Sequence, residues 1–157
     1  MGDRFRRKVA LVTGEDHDLI KEMSTLLASE GAAVVANCSH REWVDGVVSE
    51  IIAFDGVAKA GHFDLTSMGD AESLLNFTVD SFGKVDLLVS GIAIRDAAPG
   101  LDSMPEKWDE IIRPVIKNVF AITKYVSAYM RAQNGGQIVN IIKDKKSINK
   151  SDFTSKL

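Results

Sequence analysis

A regular alternation of two patterns constrains this chain more than anything else in it. Short apolar runs of strand type recur along the sequence, and stretches with helical periodicity separate them. Val9-Ala10-Leu11-Val12 is the first run, closed by Thr13-Gly14. Residues 33–36, 58–63, 85–89 and 137–142 form four more. Between the runs, apolar residues recur every three or four positions, as one face of a helix requires. Leu19, Ile20, Met23 and Leu27 begin the first such stretch, and Val44, Val47, Val48, Ile51 and Ile52 mark the second. Ala71, Leu74, Leu75, Val79 and Phe82 mark the third; Ile111, Val115, Val119, Ile122 and Val126 mark the fourth. Strands that alternate with helices of this length specify a parallel sheet with helices on both faces.

The boundaries follow from punctuation. A helix over 19–29 should stop at Gly31, one over 43–54 at Gly56, and one over 71–82 at Gly83. Ser67 or Asp70 is the expected cap of the third. The strand over 58–63 includes His62, and residues 90–104 read as a loop. The long helix over 105–130 contains Pro114, which removes a backbone donor and is expected to kink it.

A chain of 157 residues with this pattern is one domain. Its composition, 45% hydrophobic and 26% charged, excludes a disordered or collagen-like chain. No apolar run approaches the ~20 residues of a membrane span, and the polar, basic start lacks the apolar core of a signal peptide. A single cysteine, Cys38, excludes an internal disulfide and points to a cytoplasmic setting. The net charge of −3 is uneven. Residues 143–157 carry five lysines against two aspartates, so 1–142 form an acidic domain followed by a basic polar tail. An acidic domain is a poor partner for nucleic acid.

Several segments, in this order, resemble the short-chain dehydrogenase/reductase family. Lys8-Val9-Ala10-Leu11-Val12-Thr13-Gly14 resembles the family's first strand and the start of its phosphate loop. Ser29-Glu30-Gly31-Ala32-Ala33-Val34-Val35 is similar to its first helix end and second strand, and Phe63-Asp64-Leu65-Thr66 to its adenine-side segment. Phe82-Gly83-Lys84-Val85-Asp86-Leu87-Leu88-Val89, Lys107-Trp108-Asp109 and Gly135-Gly136-Gln137-Ile138-Val139-Asn140-Ile141 complete the match. The resemblance implies an α/β, Rossmann-type, doubly wound parallel sheet of order 3-2-1-4-5, ending after strand five. Strands six and seven of the family are expected to be missing.

The sites that the resemblance implies depart from the family's pattern. Its loop reads Thr-Gly-x-x-x-Gly-x-Gly, with glycines that let the backbone approach a dinucleotide's pyrophosphate. Here Thr13 and Gly14 remain, while Asp18 and Ile20 stand at the second and third glycine positions. With Glu15 and Asp16 they are expected to fill the anion site and block its surface. Asp64 and Leu65 fit the adenine contact but remain as vestiges without that loop. No acid follows strand two; Arg41 lies nearby and reads as a surface residue. Asp16-His17-Asp18 lacks the spread of ligands a metal needs, so no metal site is expected.

The family's catalytic set is an Asn, a Ser, a Tyr and a Lys four residues after the Tyr. The Asn position falls on Val115, the Ser position on Lys143, and Asp152, Phe153 and Lys156 lie where a Tyr-x-x-x-Lys remnant would be. None of these supplies a phenolic acid. Asn118, one turn beyond Val115, is not a simple substitute. Tyr125 and Tyr129 read as surface or interface residues, and Cys38 as a buried thiol.

The expectation is therefore a non-catalytic subunit that binds no cofactor itself. It would pair, as a heterotetramer, with an active NAD(P)-dependent dehydrogenase of the same fold. Helix 105–130 and the apolar edge of strand five would form the contact. Such pairing is a feature of the hydroxyacyl-CoA-type dehydrogenase in the benzylsuccinate pathway of anaerobic toluene degradation. The alternatives are an NAD(P)-dependent oxidoreductase with a divergent site and a ligand- or protein-binding module.

Overall fold

A computed structural model describes residues 2–93 and 105–143, with side chains for 2–92 and 113–142. Nine elements alternate along it. They are β1 (Val9–Gly14), α1 (His17–Ser29), β2 (Ala33–Asn37), α2 (Arg41–Ala53), β3 (Val57–Gly61), α3 (Met68–Phe82), β4 (Leu87–Ala93), α4 (Pro105–Ala132) and β5 (Gln137–Lys143). The strands form one parallel sheet of order β3-β2-β1-β4-β5, as the alternation of patterns requires.

Both faces of β1, β2 and β4 are buried, which is why these central strands are apolar throughout rather than alternating. Ala10, Val12, Val34, Ala36 and Val89 pack with α1 and α2, through Ile20, Leu27, Val44 and Val48. Their neighbours Leu11, Val35 and Leu88 turn to the other face and meet α3 and α4, through Leu74, Leu75, Ile122 and Val126. This is the two-residue alternation of a strand read against two helix layers.

Several boundaries differ from those expected. Helix α1 starts at His17 because Asp16 caps it, and α3 starts at Met68 rather than Ala71 because Ser67, one of the two expected caps, is the one that caps it. Helix α2 starts at Arg41 and is closed by Asp55 at φ 61°, not by Gly56. Gly56 serves a close approach instead, since a Cβ there would meet the Ile51 side chain at 2.6 Å. Ile52, expected in the core, is 54% exposed. Strand β3 ends at Gly61, so His62 lies beyond it and places Nε2 2.7 Å from Asp45 Oδ1. Strand β4 runs on to Ala93, which puts Ser90 and Gly91 in the sheet rather than in a loop. Residues 144–157, which carry all but Lys143 of the basic tail, lie outside the described residues.

Candidate functional site

The strand order reverses between β1 and β4, and the helices that follow them leave a crevice at their carboxyl ends. In open α/β sheets this is where ligands bind. Gly14 and Gly91 face each other across it in register. Gly14 has φ +147°, and a Cβ there would strike the Gly91 carbonyl. A Cβ on Gly91 would in turn meet Leu19 Cδ2 at 2.8 Å.

Asn37, the last residue of β2, is 1% exposed and holds the floor of the crevice together. Its amide nitrogen donates to Thr13 Oγ1 at 3.1 Å and to the Phe63 carbonyl at 3.2 Å. Its Oδ1 accepts the Phe63 N–H at 2.9 Å. One buried side chain thus ties β1 to the turn after β3. That turn is further fixed by Asp64, whose Oδ1 accepts both the N–H and the hydroxyl of Thr66 at 2.9 and 2.8 Å. These two bonds hold the Asp64 carboxyl below the usual carboxylate range.

The β1–α1 turn is built from acids. Asp16 accepts the Leu19 N–H on its carboxylate at 3.1 Å and the Ile20 N–H on its carbonyl at 3.0 Å. The Leu19 N–H, one of the donors an anion would use at this helix start, is therefore engaged by the cap. Glu15 reaches across the mouth and accepts the Ser39 hydroxyl at 2.6 Å. His17 stacks on Trp43 at 4.4 Å and meets His40 edge-on at 5.6 Å. Ile20 is fully buried in the α1 side of the core, and Asp18 is exposed. The residues that stand over the crevice are thus Glu15 and His17. Ile20, expected to obstruct it, turns away because the helix's apolar face carries it inward.

Two cavities share Glu15, Val115 and Asn118 as walls. The outer one, about 740 Å³, is also lined by His17, Ser39, Arg41, Phe63 and Asp64. The inner one, about 40 Å³, lies between the sheet and α4 and is lined by Thr13, Gly14, Leu65 and Ser90 among others. Among the described residues, Ser90 Oγ and Asn118 Oδ1 are buried there without a hydrogen-bond partner. Sequence reasoning meets both residues singly but does not bring them together. It places Ser90 in a loop and weighs Asn118 only as a substitute for the position one turn earlier.

Val115 lines both cavities and offers only methyl groups. Lys143 ends β5, paired with Ala93, while Asp152, Phe153 and Lys156 lie outside the described residues. Tyr129 is at the opposite end of the sheet, with its hydroxyl 3.5 Å from the Gly83 carbonyl. Cys38 is 1% exposed, and burial pushes its thiol up. Its Sγ lies 3.4 Å from the His40 carbonyl. Beside the inner cavity, an apolar groove of about 590 Å³ runs between α4 and β5. Ile116, Phe120 and Ile142 line it, and each is more than half exposed. Among the described residues, no group of three or more His, Cys, Asp or Glu side chains is placed to hold a metal ion.

A family model described as short chain dehydrogenase matches residues 8–146. The chain belongs to this family. Its relatives include the 3-oxoacyl-[acyl-carrier-protein] reductase FabG of Thermotoga maritima, 31% identical over 88% of this chain and 56% of that one. Another is the (2S)-[(R)-hydroxy(phenyl)methyl]succinyl-CoA dehydrogenase subunit BbsD of Thauera aromatica, 29% identical over 87% of this chain and 55% of that one. The crystal structure of a hydroxysteroid dehydrogenase from Escherichia coli superposes with a TM-score of 0.74 at 26% identity. That match covers 91% of this chain and 59% of the other. The chain thus spans about half the length of the short-chain dehydrogenases it matches. No helix among the described residues is long and apolar enough to cross a membrane.

A fold of this family implies a dinucleotide with its pyrophosphate at the α1 N-terminus. The residues present suit only part of it. The crevice around Phe63, Asp64 and Leu65 is open, but the β1–α1 turn sets Glu15 and the Asp16 cap where the phosphates would lie.

Proposed function

We propose that this chain is a non-catalytic member of the short-chain dehydrogenase family that binds no dinucleotide and serves as a structural subunit beside an active, NAD(P)-dependent relative. The β1–α1 turn carries the reading: the Asp16 carboxylate caps the helix start at the Leu19 N–H, and Glu15 is latched to Ser39 across the crevice. Bringing a pyrophosphate there means displacing the cap, worth about 1 kcal/mol, and placing phosphate beside carboxylates. The Asn position of the family holds Val115, which cannot hold a water by hydrogen bonds.

The pairing surface we assign is α4 with the β5 edge. Ile116, Phe120, Val139 and Ile142 are exposed on these two elements. An edge strand with such residues is a template for association. The name of the Thauera aromatica relative, a dehydrogenase subunit, supports this reading and suggests a hydroxyacyl-CoA as the partner's substrate. The buried Cys38 thiol fits a reducing cytoplasm.

Co-expression with an intact family dehydrogenase from the same genome tests the pairing, with mass read by light scattering after size exclusion. A stable complex, lost on Phe120→Glu, is expected. A chain that runs as a monodisperse monomer beside its would-be partner overturns the assignment. A chain that oxidises or reduces alcohols with NAD(P) by itself favours the reading as a divergent enzyme instead.

A further inference from the structure

We infer that this chain pairs with a second copy of itself along the free edge of β3, and that Phe54, Val57 and an Asp55–Lys59 ion pair between the copies form the contact. The inference is independent of what covers the opposite edge of the sheet. Its starting point is where exposed apolar side chains lie. Among the described residues, the large exposed hydrophobics gather at the two edges of the sheet. Ile116, Phe120, Val139 and Ile142 belong to the β5 edge, the pairing surface assigned above. Ile52, Phe54 and Val57 belong to the β3 edge; each is more than half exposed, and Phe54 is 80% exposed. The core does not need this second group, because Ile51 and Ala58 already bury that corner in the α1–α2 layer.

The three residues share one short stretch of chain. Ile52 is in the last turn of α2, Phe54 is its C-cap, and Val57 opens β3. Strand β3 is hydrogen-bonded to β2 on one side and is the last strand of the sheet on the other. An edge strand presents unpaired N–H and C=O groups and is a template for another strand. Ala58 and Ala60 turn to the α1–α2 layer, so Val57 and Lys59 stand on the other face. Lys59 lies there with Nζ 5.8 Å from the centroid of the Phe82 ring.

Charge and symmetry select a second copy as the occupant. A lone lysine on an edge ordinarily discourages pairing. Antiparallel pairing of β3 with itself, about a two-fold axis at Val57, reverses that effect. Asp55 precedes Val57 by two residues, and Lys59 follows it by two. The axis therefore sets each copy's Lys59 beside the other's Asp55. It brings the two Val57 side chains together at a cross-strand distance of about 5 Å. Among the described residues, neither Asp55 nor Lys59 has an ion-pair partner in its own chain. The ion pairs fix the register, and burial of Phe54 and Val57 supplies the affinity. Such a contact is isologous and closes at two copies. Pairing β3 with the β5 edge of another copy would be head-to-tail and would leave an edge open for further growth.

Analytical ultracentrifugation of the full chain tests this, in a Phe120→Glu background so that the α4–β5 surface does not contribute. A mass that rises with concentration from 17.1 kDa to twice that value is expected. Phe54→Glu adds a charge at an exposed position, so the fold should stand while dimerisation weakens about tenfold or more. Lys59→Glu and Asp55→Lys should each weaken the dimer as well. Mixed in equal amounts, these two variants should associate with each other, because both cross-pairs are again of opposite sign. Asp55 sits at φ 61°, so Asp55→Asn, which suits that conformation, checks the loss of charge if Asp55→Lys does not fold.

A chain that stays monomeric at every soluble concentration overturns the inference, and so does a mass that grows beyond two copies. A dimer that Phe54→Glu and Lys59→Glu leave unaffected places the contact elsewhere and also overturns it. Phe54→Glu should leave the complex with an active relative intact, whereas Phe120→Glu should abolish it, so the two surfaces fail or stand separately. Loss of that complex on Phe54→Glu gives the β3 edge to the relative and overturns the inference.

Discussion

The two turns that flank the crevice, β1–α1 and β3–α3, are equally well built but to different ends. After β3, Asn37 clasps the Phe63 backbone, Asp64 closes on Thr66, and Ser67 caps α3. Among the described residues, Phe63, Asp64 and Thr66 line the outer cavity there and leave it open. After β1, Asp16 caps α1 and Glu15 is held by Ser39 over the opening. The contrast shows that a sheet and its caps can stay satisfied while the chemistry offered to a ligand changes. Helix α1 needs an acceptor at its start, and Asp16 supplies it. The glycines that the family uses at this turn serve the phosphate rather than the helix.

If the clasp and the caps are the scaffold, removing them should cost stability in proportion to their burial. Asn37→Ala deletes three hydrogen bonds and strands the Phe63 N–H and C=O beneath the turn. With about 1–3 kcal/mol for each buried group left unpaired, urea unfolding should show a loss of roughly 3 kcal/mol or more. Asp16→Ala removes a single cap, and the same measurement should give about 1 kcal/mol. A larger loss at Asp16 than at Asn37 would reverse the comparison.

Asp86 gives a reference away from the crevice, at the amino ends of the strands. Burial raises its pKa, but the Lys84 ammonium at 2.9 Å, the Val9 N–H at 2.8 Å and Lys8 at 3.5 Å outweigh this and hold it below the usual range. A depressed carboxyl contributes stability that is complete above its unfolded value of about 3.9 and lost as the pH falls through the folded one. Below about pH 4, Asp86→Asn should therefore lose stability on acidification less steeply than the parent. Ser39→Ala sharpens the comparison at its weak end. The Glu15 bond is exposed, so the change should stay within about 0.5 kcal/mol.

The alternation of apolar runs and helical periods made the sheet legible, because a parallel sheet buried on both faces leaves that mark on every central strand. The strand order came from the resemblance, and the pairing of β1 with both β2 and β4 agrees with it. Element ends were less legible. Asp55 at positive φ rather than Gly56 ends α2, and sheet pairing with β5 carries β4 through Ser90 and Gly91, which read locally as loop. The crevice was half legible. Departures at the loop could be counted, but which side chains stand over it depends on helix phase. That phase sends Ile20 inward and leaves Glu15 and His17 at the opening. The Asn37 clasp and the Ser90–Asn118 pair join residues distant in sequence, so no local pattern could have exposed them.

Calorimetric titration of the chain with NADH, followed in parallel through Trp fluorescence, tests the central claim most directly. The account predicts no saturable binding up to millimolar NADH, and the same result after Asp18→Gly alone, because Asp18 lines neither cavity. Saturable binding at micromolar NADH would contradict it.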